Sequence, residues 1–192
     1  MPRNLPNILT YGRIALIPVL VVTFYFPGNF ADWLALGIFV TAGVTDFFDG
    51  YLARSMHQQS ALGAMLDPIA DKLLVGAAIV MLVYSRRIDG LTVLPAVIIL
   101  CREFLVSGLR EFLAGLKVSV PVSRLAKWKT AGQMLALGFL LAGDAGDRAV
   151  PFNHEIGIAG LWIAAILTLY TGYDYLRAGL RYASDTDRKP AG

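Results

Sequence analysis

Asp46, Asp49, Asp67 and Asp71 lie close together in a strongly apolar part of the chain, in the run "DFFDGYLARSMHQQSALGAMLDPIADK". Asp46 and Asp49 are three residues apart and Asp67 and Asp71 four apart, so on helices each pair shares a face. Four carboxylates crowded beside a low-dielectric slab repel one another and lose hydration, which drives some of them to take up protons unless a cation is present. Oxygen-only ligation, with no cysteine and only His57 nearby, favours a hard divalent ion (Mg2+, Mn2+ or Ca2+) over zinc. His57, with no second imidazole, reads as a solvated loop residue. Some of the acids have an ordinary explanation. Asp67 before Pro68 is a good helix start, with Asp as N-cap, and Asp49 before Gly50 could close a turn. Asp46 and Asp71 are then left as costly carboxylates on apolar helices, which inside a membrane mark function.

The elements that must position these acids follow from composition. The chain has 192 residues, 56% of them apolar, with a mean hydropathy of +0.60. Such values describe one integral membrane domain rather than a soluble protein. A net charge of +3 does not indicate nucleic acid, because the basic residues cluster between long apolar runs, as membrane topology requires. Cys101 stands alone in an apolar run, which excludes a disulfide framework or a metal-binding cysteine pair and reads as a small core residue.

Six apolar segments, near 9–26, 31–53, 62–84, 92–113, 124–142 and 156–176, each approach the roughly 20 residues that span a bilayer. Turn residues separate them at "PGNF", "RRIDG", "GLKVSVP" and "GDAGDRAVP". The expected fold is an all-α polytopic membrane protein with six transmembrane helices. A short interfacial amphipathic helix, "NLPNILTYGR", is expected to precede them, with Asn7, Thr10 and Arg13 facing inward. Residues 1–183 form the membrane domain and 184–192 a disordered tail. The basic start resembles a signal peptide, but no small-x-small cleavage site follows before Asp32, so the first helix is read as retained. With the N-terminus cytoplasmic, that face receives Arg3, Arg13, Arg54, Lys117, Arg124, Lys127, Lys129, Arg177, Arg181, Arg188 and Lys189. The other face receives Arg86, Arg87 and Arg148. This positive-inside bias places both termini in the cytoplasm.

Gly50, Ala53 and Gly63 beside the acids leave room either for a ligand or for close helix packing. Arg54 could pair with the acids, with lipid phosphate or with a diphosphate. The pattern Asp46-x2-Asp49-Gly50-x2-Ala53-Arg54-x8-Gly63-x3-Asp67-x3-Asp71 resembles, at every fixed position, the signature of the CDP-alcohol phosphotransferases. The resemblance implies a six-helix membrane fold, a homodimer, and two divalent metals, Mg2+ or Mn2+, held by the four acids. It implies transfer from a CDP-linked alcohol to an acceptor alcohol with release of CMP. Asp71 would be the general base, and the other acids chiefly metal ligands. Thr10 and Arg13, with Gly50, Ala53, Arg54 and Gly63, would line the CDP-diacylglycerol site.

Arg102 and Arg110, slightly more than two turns apart in "CREFLVSGLREF", lie on roughly one face of segment four, and "RLAKWKT" adds Lys127 and Lys129. Such cations beside a metal site suit a second phosphate, carried by the acceptor. Together with "PNILTYGR", these segments resemble the bacterial phosphatidylglycerophosphate synthase branch of the family over about residues 4–140. That likeness implies the substrates CDP-diacylglycerol and sn-glycerol 3-phosphate, the latter bound by Arg102, Arg110, Lys127 and Lys129. It also implies a cytoplasmic-facing site in the bacterial inner membrane, among membrane lipids and with no nucleic-acid partner. A cardiolipin or phosphatidylinositol phosphate synthase is the alternative, since both use phosphate-bearing acceptors. A divalent-cation transporter fits less well, because it would set its acids near the midplane and away from cations. Glu103 and Glu111 either pair with the arginines or are only structural; Lys72 either snorkels or holds a carboxylate. No serine or cysteine nucleophile with an adjacent base is evident, which favours direct in-line attack.

Overall fold

Each apolar run of the sequence becomes part of a helix. The structure, a computed structural model, describes residues 5–55, 61–115 and 124–187, and among them all regular structure is helical. Six α-helices follow in order: α1 (Leu5–Thr23), α2 (Asn29–Ser55), α3 (Ala61–Tyr84), α4 (Val93–Gly115), α5 (Arg124–Ala149) and α6 (Asn153–Asp187). A single 3₁₀ turn, Gly90–Thr92, leads into α4.

Two expectations change at the N-terminal side. The interfacial helix expected before the first span does not form separately, because α1 runs unbroken from Leu5 to Thr23 and joins the amphipathic start to the apolar run. Asp67 is not an N-cap either. Helix α3 begins at Ala61 and carries both Asp67 and Pro68 in its interior, so the acid is fixed by helix geometry rather than by a helix end.

At the other side, "GDAGDRAVP" was expected to break the chain, and Gly143 does so with φ 48 and ψ −141. Helix resumes immediately as far as Ala149. The reversal into α6 is closed by Asp147, whose Oδ1 accepts from the His154 backbone N–H at 3.0 Å. Helix α6 continues through Ser184 to Asp187, into the segment expected as a tail.

Packing divides the bundle into two wedges. Helix α1 packs against both α2 and α3, which touch each other much less, and α6 packs against both α4 and α5. Contacts of α2 with α5 and of α3 with α4 join the halves. The core runs through Leu20, Phe39, Leu74, Leu82, Ile99, Leu137, Leu140 and Leu161, all buried. Small residues set the closest seam: a Cβ added at Gly157 would lie 2.8 Å from Leu140 Cδ2, so α5 and α6 approach only because position 157 has no side chain.

Polarity is inverted relative to a soluble bundle. Large apolar residues such as Val22, Leu94, Val97, Ile163 and Leu169 are exposed, whereas Thr10, Arg13, Lys129 and Gln133 are buried. By length and composition, the stretches Gly90–Leu113 and Asn153–Tyr173 are long and apolar enough to cross a membrane. The exposed apolar surface is what a lipid solvent would stabilise.

Candidate active site

The acids come together through α1. Asp46 lies near the C-terminal end of α2, and Asp67 and Asp71 lie in the first half of α3. With little direct packing between α2 and α3, their alignment depends on the helix wedged between them. Thr10 and Arg13, three residues apart on α1, are each 1% exposed and reach one acid helix each. Thr10 Oγ1 donates to Asp67 Oδ1 at 2.5 Å. Arg13 Nη1 lies 2.6 Å from Asp46 Oδ1. The expectation that Thr10 and Arg13 face inward therefore holds, and the immediate partners of both are carboxylates.

Asp46 is close enough to Asp67 and to Asp71 to feel both charges. Lys72 offsets part of this negative field while its Nζ donates to the Pro68 carbonyl at 3.2 Å. Asp49, Gly50, Ala53 and Arg54 lie on α2, but their side chains fall outside the described residues. Gly63 is buried on α3. His57 lies outside the described residues.

Among the described residues no three acidic, histidine or cysteine side chains form a ready-made metal cage; the fourth acid, Asp49, is not among those side chains. The donor chemistry nevertheless fits a hard divalent ion. Asp46, which interacts with both Asp67 and Asp71, and those two acids offer only oxygen, and Arg13 and Thr10 supply the outer hydrogen bonds that orient such ligands.

A basic cluster stands next to the acids, built by the second wedge. Glu103 on α4 accepts from Arg102 Nη1 at 3.3 Å and from Lys129 Nζ on α5. Arg102 Nη2 reaches Thr171 Oγ1 on α6 at 3.3 Å. Gly172 accommodates the Arg102 stem, since a Cβ there would sit 3.2 Å from its Cγ. Asp71 is within electrostatic reach of Glu103 and of Lys129, so the acidic and basic halves form one site. Arg110 lies two turns further along α4 at an exposed position. Lys127 lies on α5 with its side chain outside the described residues.

In the sequence Glu103 reads only as a pairing partner of the arginines or as structural, and Thr171 carries no motif. The signal available was a threonine pair, Thr168 and Thr171, on one face of an apolar helix. A cavity of about 280 Å³ opens at the opposite end of the bundle, lined by Phe24, Gly28, Asp32, Ser85, Arg87 and Asp144. It contains none of the residues above.

A model of the family described as CDP-alcohol phosphatidyltransferase matches residues 3–170. A protein of Rickettsia bellii (strain RML369-C), named "CDP-diacylglycerol--glycerol-3-phosphate 3-phosphatidyltransferase", is 53% identical over 94% of this chain and 97% of its own length. Proteins of the same name from Cereibacter sphaeroides and Haemophilus influenzae are 41% and 43% identical. They match over 96% and 92% of this chain and 99% and 94% of their own lengths. With residues 3–170 matched by the family model and nearly the whole length matched by these relatives, the chain belongs to the CDP-alcohol phosphatidyltransferase family.

Proposed function

We propose that the chain transfers the phosphatidyl group of CDP-diacylglycerol to sn-glycerol 3-phosphate, giving phosphatidylglycerophosphate and CMP. The observation that carries this reading is the proximity of two charged clusters. Carboxylates suited to a metal-bound diphosphate lie within electrostatic reach of a buried Lys129–Glu103–Arg102 group suited to a second phosphate. The relatives' shared name describes that pair of substrates.

In this reading Asp46, Asp49, Asp67 and Asp71 hold two Mg2+ or Mn2+ ions. When bound, these ions supply charge neutralisation for the diphosphate and for departing CMP. Thr10, Arg13, Gly50, Ala53, Arg54 and Gly63 border the lipid nucleotide. Lys129 and Arg102, with Lys127 and Arg110, hold the acceptor phosphate and so fix where its 1-hydroxyl sits. Asp71 takes the proton of that hydroxyl. The hydroxyl oxygen bonds to the lipid-bearing phosphorus, the bond from that phosphorus to the CMP oxygen breaks, and CMP leaves with the electron pair. Attack without a covalent enzyme intermediate inverts the configuration at phosphorus.

The chain is further proposed to form one domain over residues 1–183 with six membrane-spanning helices. It would act as a homodimer in the bacterial inner membrane, with both termini and the site cytoplasmic.

The test is CMP release by detergent-purified protein with CDP-diacylglycerol and Mg2+ or Mn2+, comparing glycerol 3-phosphate, phosphatidylglycerol, inositol phosphate and serine as acceptors. Turnover is expected with glycerol 3-phosphate and a divalent ion only. Chelation should abolish it, and Asp71→Asn should lower it by about 100-fold or more. Turnover with a different acceptor alone would overturn the substrate assignment.

A further inference from the structure

Helices α4 and α5 have little direct packing; each rests on α6. One side chain nevertheless bridges them at the basic end. Glu103 on α4 holds its neighbour Arg102 and also Lys129 on α5. The Lys129 side chain is only 3% exposed and that of Glu103 14%. Arg102 and Lys129 repel one another, so without a shared carboxylate two desolvated cations have no reason to stay side by side. A lysine in particular has a flexible stem along which it can turn toward water. Two cations against one carboxylate leave a surplus positive charge. The surroundings also hold unused hydrogen-bonding capacity. Among the described residues Arg102 Nε, Gln133 Oε1 (one turn beyond Lys129) and Thr168 Oγ1 (one turn before Thr171) are buried without a protein partner. Buried polar atoms of this kind call for a polar ligand or ordered water.

We propose that Glu103 is a positioning residue for the acceptor's phosphate. It draws Lys129 across from α5 and sets it beside Arg102, so that the two present a single anion site next to Asp71. Thr171 steadies Arg102 from α6. This inference rests on the proposed use of a phosphate-bearing acceptor. If Glu103 merely tied α4 to α5, its loss would lower stability and impair both substrates together. A positioning role separates them.

The experiment is steady-state kinetics of the detergent-purified full chain carrying Glu103→Gln or Glu103→Asp, varying each substrate in turn. Glu103→Gln is expected to raise the glycerol 3-phosphate KM about tenfold while kcat and the CDP-diacylglycerol KM stay within about twofold. Glu103→Asp, which keeps the charge, should recover most of the loss. An unchanged or lowered acceptor KM, or equal increases in both KM values, would overturn the proposal. If Glu103→Gln does not yield folded protein, Thr171→Val loosens the same arginine without removing a charge, and the same separation of KM values decides. A wild-type chain that turns over only with another phosphate-bearing acceptor refutes the assigned reaction but not the positioning, which is then read with that acceptor. Wild-type turnover only with an acceptor lacking phosphate, or none with any acceptor, refutes both.

Discussion

Thr10 donates to Asp67 at 2.5 Å from a helix 57 positions away in sequence. A carboxylate that binds a cation through one oxygen is usually aimed by a hydrogen bond to the other, and losing that bond typically weakens metal binding at least tenfold. Thr10→Val keeps the shape and removes the donor. It is expected to raise the Mg2+ concentration for half-maximal activity by about tenfold, with Thr10→Ser close to wild type. A metal titration of CMP release checks this; an unchanged titration with a raised CDP-diacylglycerol KM would make Thr10 a substrate contact only. At this scale the sequence was most readable where spacing alone carries meaning. The four acids declare themselves because an apolar helix has no other use for Asp46 and Asp71. The roles of Thr10 and Glu103 were less visible, since each acts through a partner on another helix and no local pattern records which helix that is. Asp67 illustrates the converse: Asp-Pro is a fair helix start, yet α3 begins at Ala61, so a local preference gave way to the longer helix.

Among the elements, α1 and α6 act as wedges and the opposite end of the bundle acts as a lock. Arg87, in the α3–α4 connection, pairs with Asp32 on α2. Its Nη1 donates to the Leu141 carbonyl at 3.0 Å, and its guanidinium lies 5.6 Å from the centre of the Phe24 ring. Gly143 makes this possible twice over. Its φ of 48 is a left-handed conformation, and any Cβ there would collide with the Arg87 guanidinium. Gly143→Ala must therefore strain the backbone and displace Arg87, at a cost of about 2 kcal/mol or more. Thermal unfolding in detergent should fall by roughly 5 °C. Because the lock is remote from the acids, both KM values should be unchanged at a temperature where the variant is folded; an altered KM would mean that the two ends are coupled. The helix count was legible from hydrophobic runs, but this lock was not. Arg87 reads in sequence as one of three cations on the far face, and only the kink at Gly143 brings the Leu141 carbonyl to it.

For the whole molecule, charge and length bear on how the bundle sits in lipid. All residues assigned to the site lie at the end where α2, α4 and α6 finish and α1, α3 and α5 begin, which is also the end that collects most of the lysine and arginine. An even number of crossings with cytoplasmic termini satisfies the positive-inside bias, and odd crossings would set one of the basic ends outside. Helix α6 sharpens the point. Its 35 residues extend about 52 Å at about 1.5 Å per residue, well beyond the roughly 30 Å of hydrocarbon. The excess falls at its C-terminal end, where the sequence turns polar from Asp174 onward. Residues beyond it include Arg177 and Arg181, which belong in the headgroup region or in water. Single cysteines in a Cys101→Ser background test this arrangement. Arg148→Cys should react with a membrane-impermeant maleimide in intact cells whose outer membrane has been opened. Ser184→Cys should react only after the inner membrane is permeabilised. Labelling of both positions from the outside would require an even number of crossings between them and the loss of the proposed span through α6. Labelling of Ser184→Cys alone would invert the bundle and move the site to the face where CMP has no cytoplasmic exit.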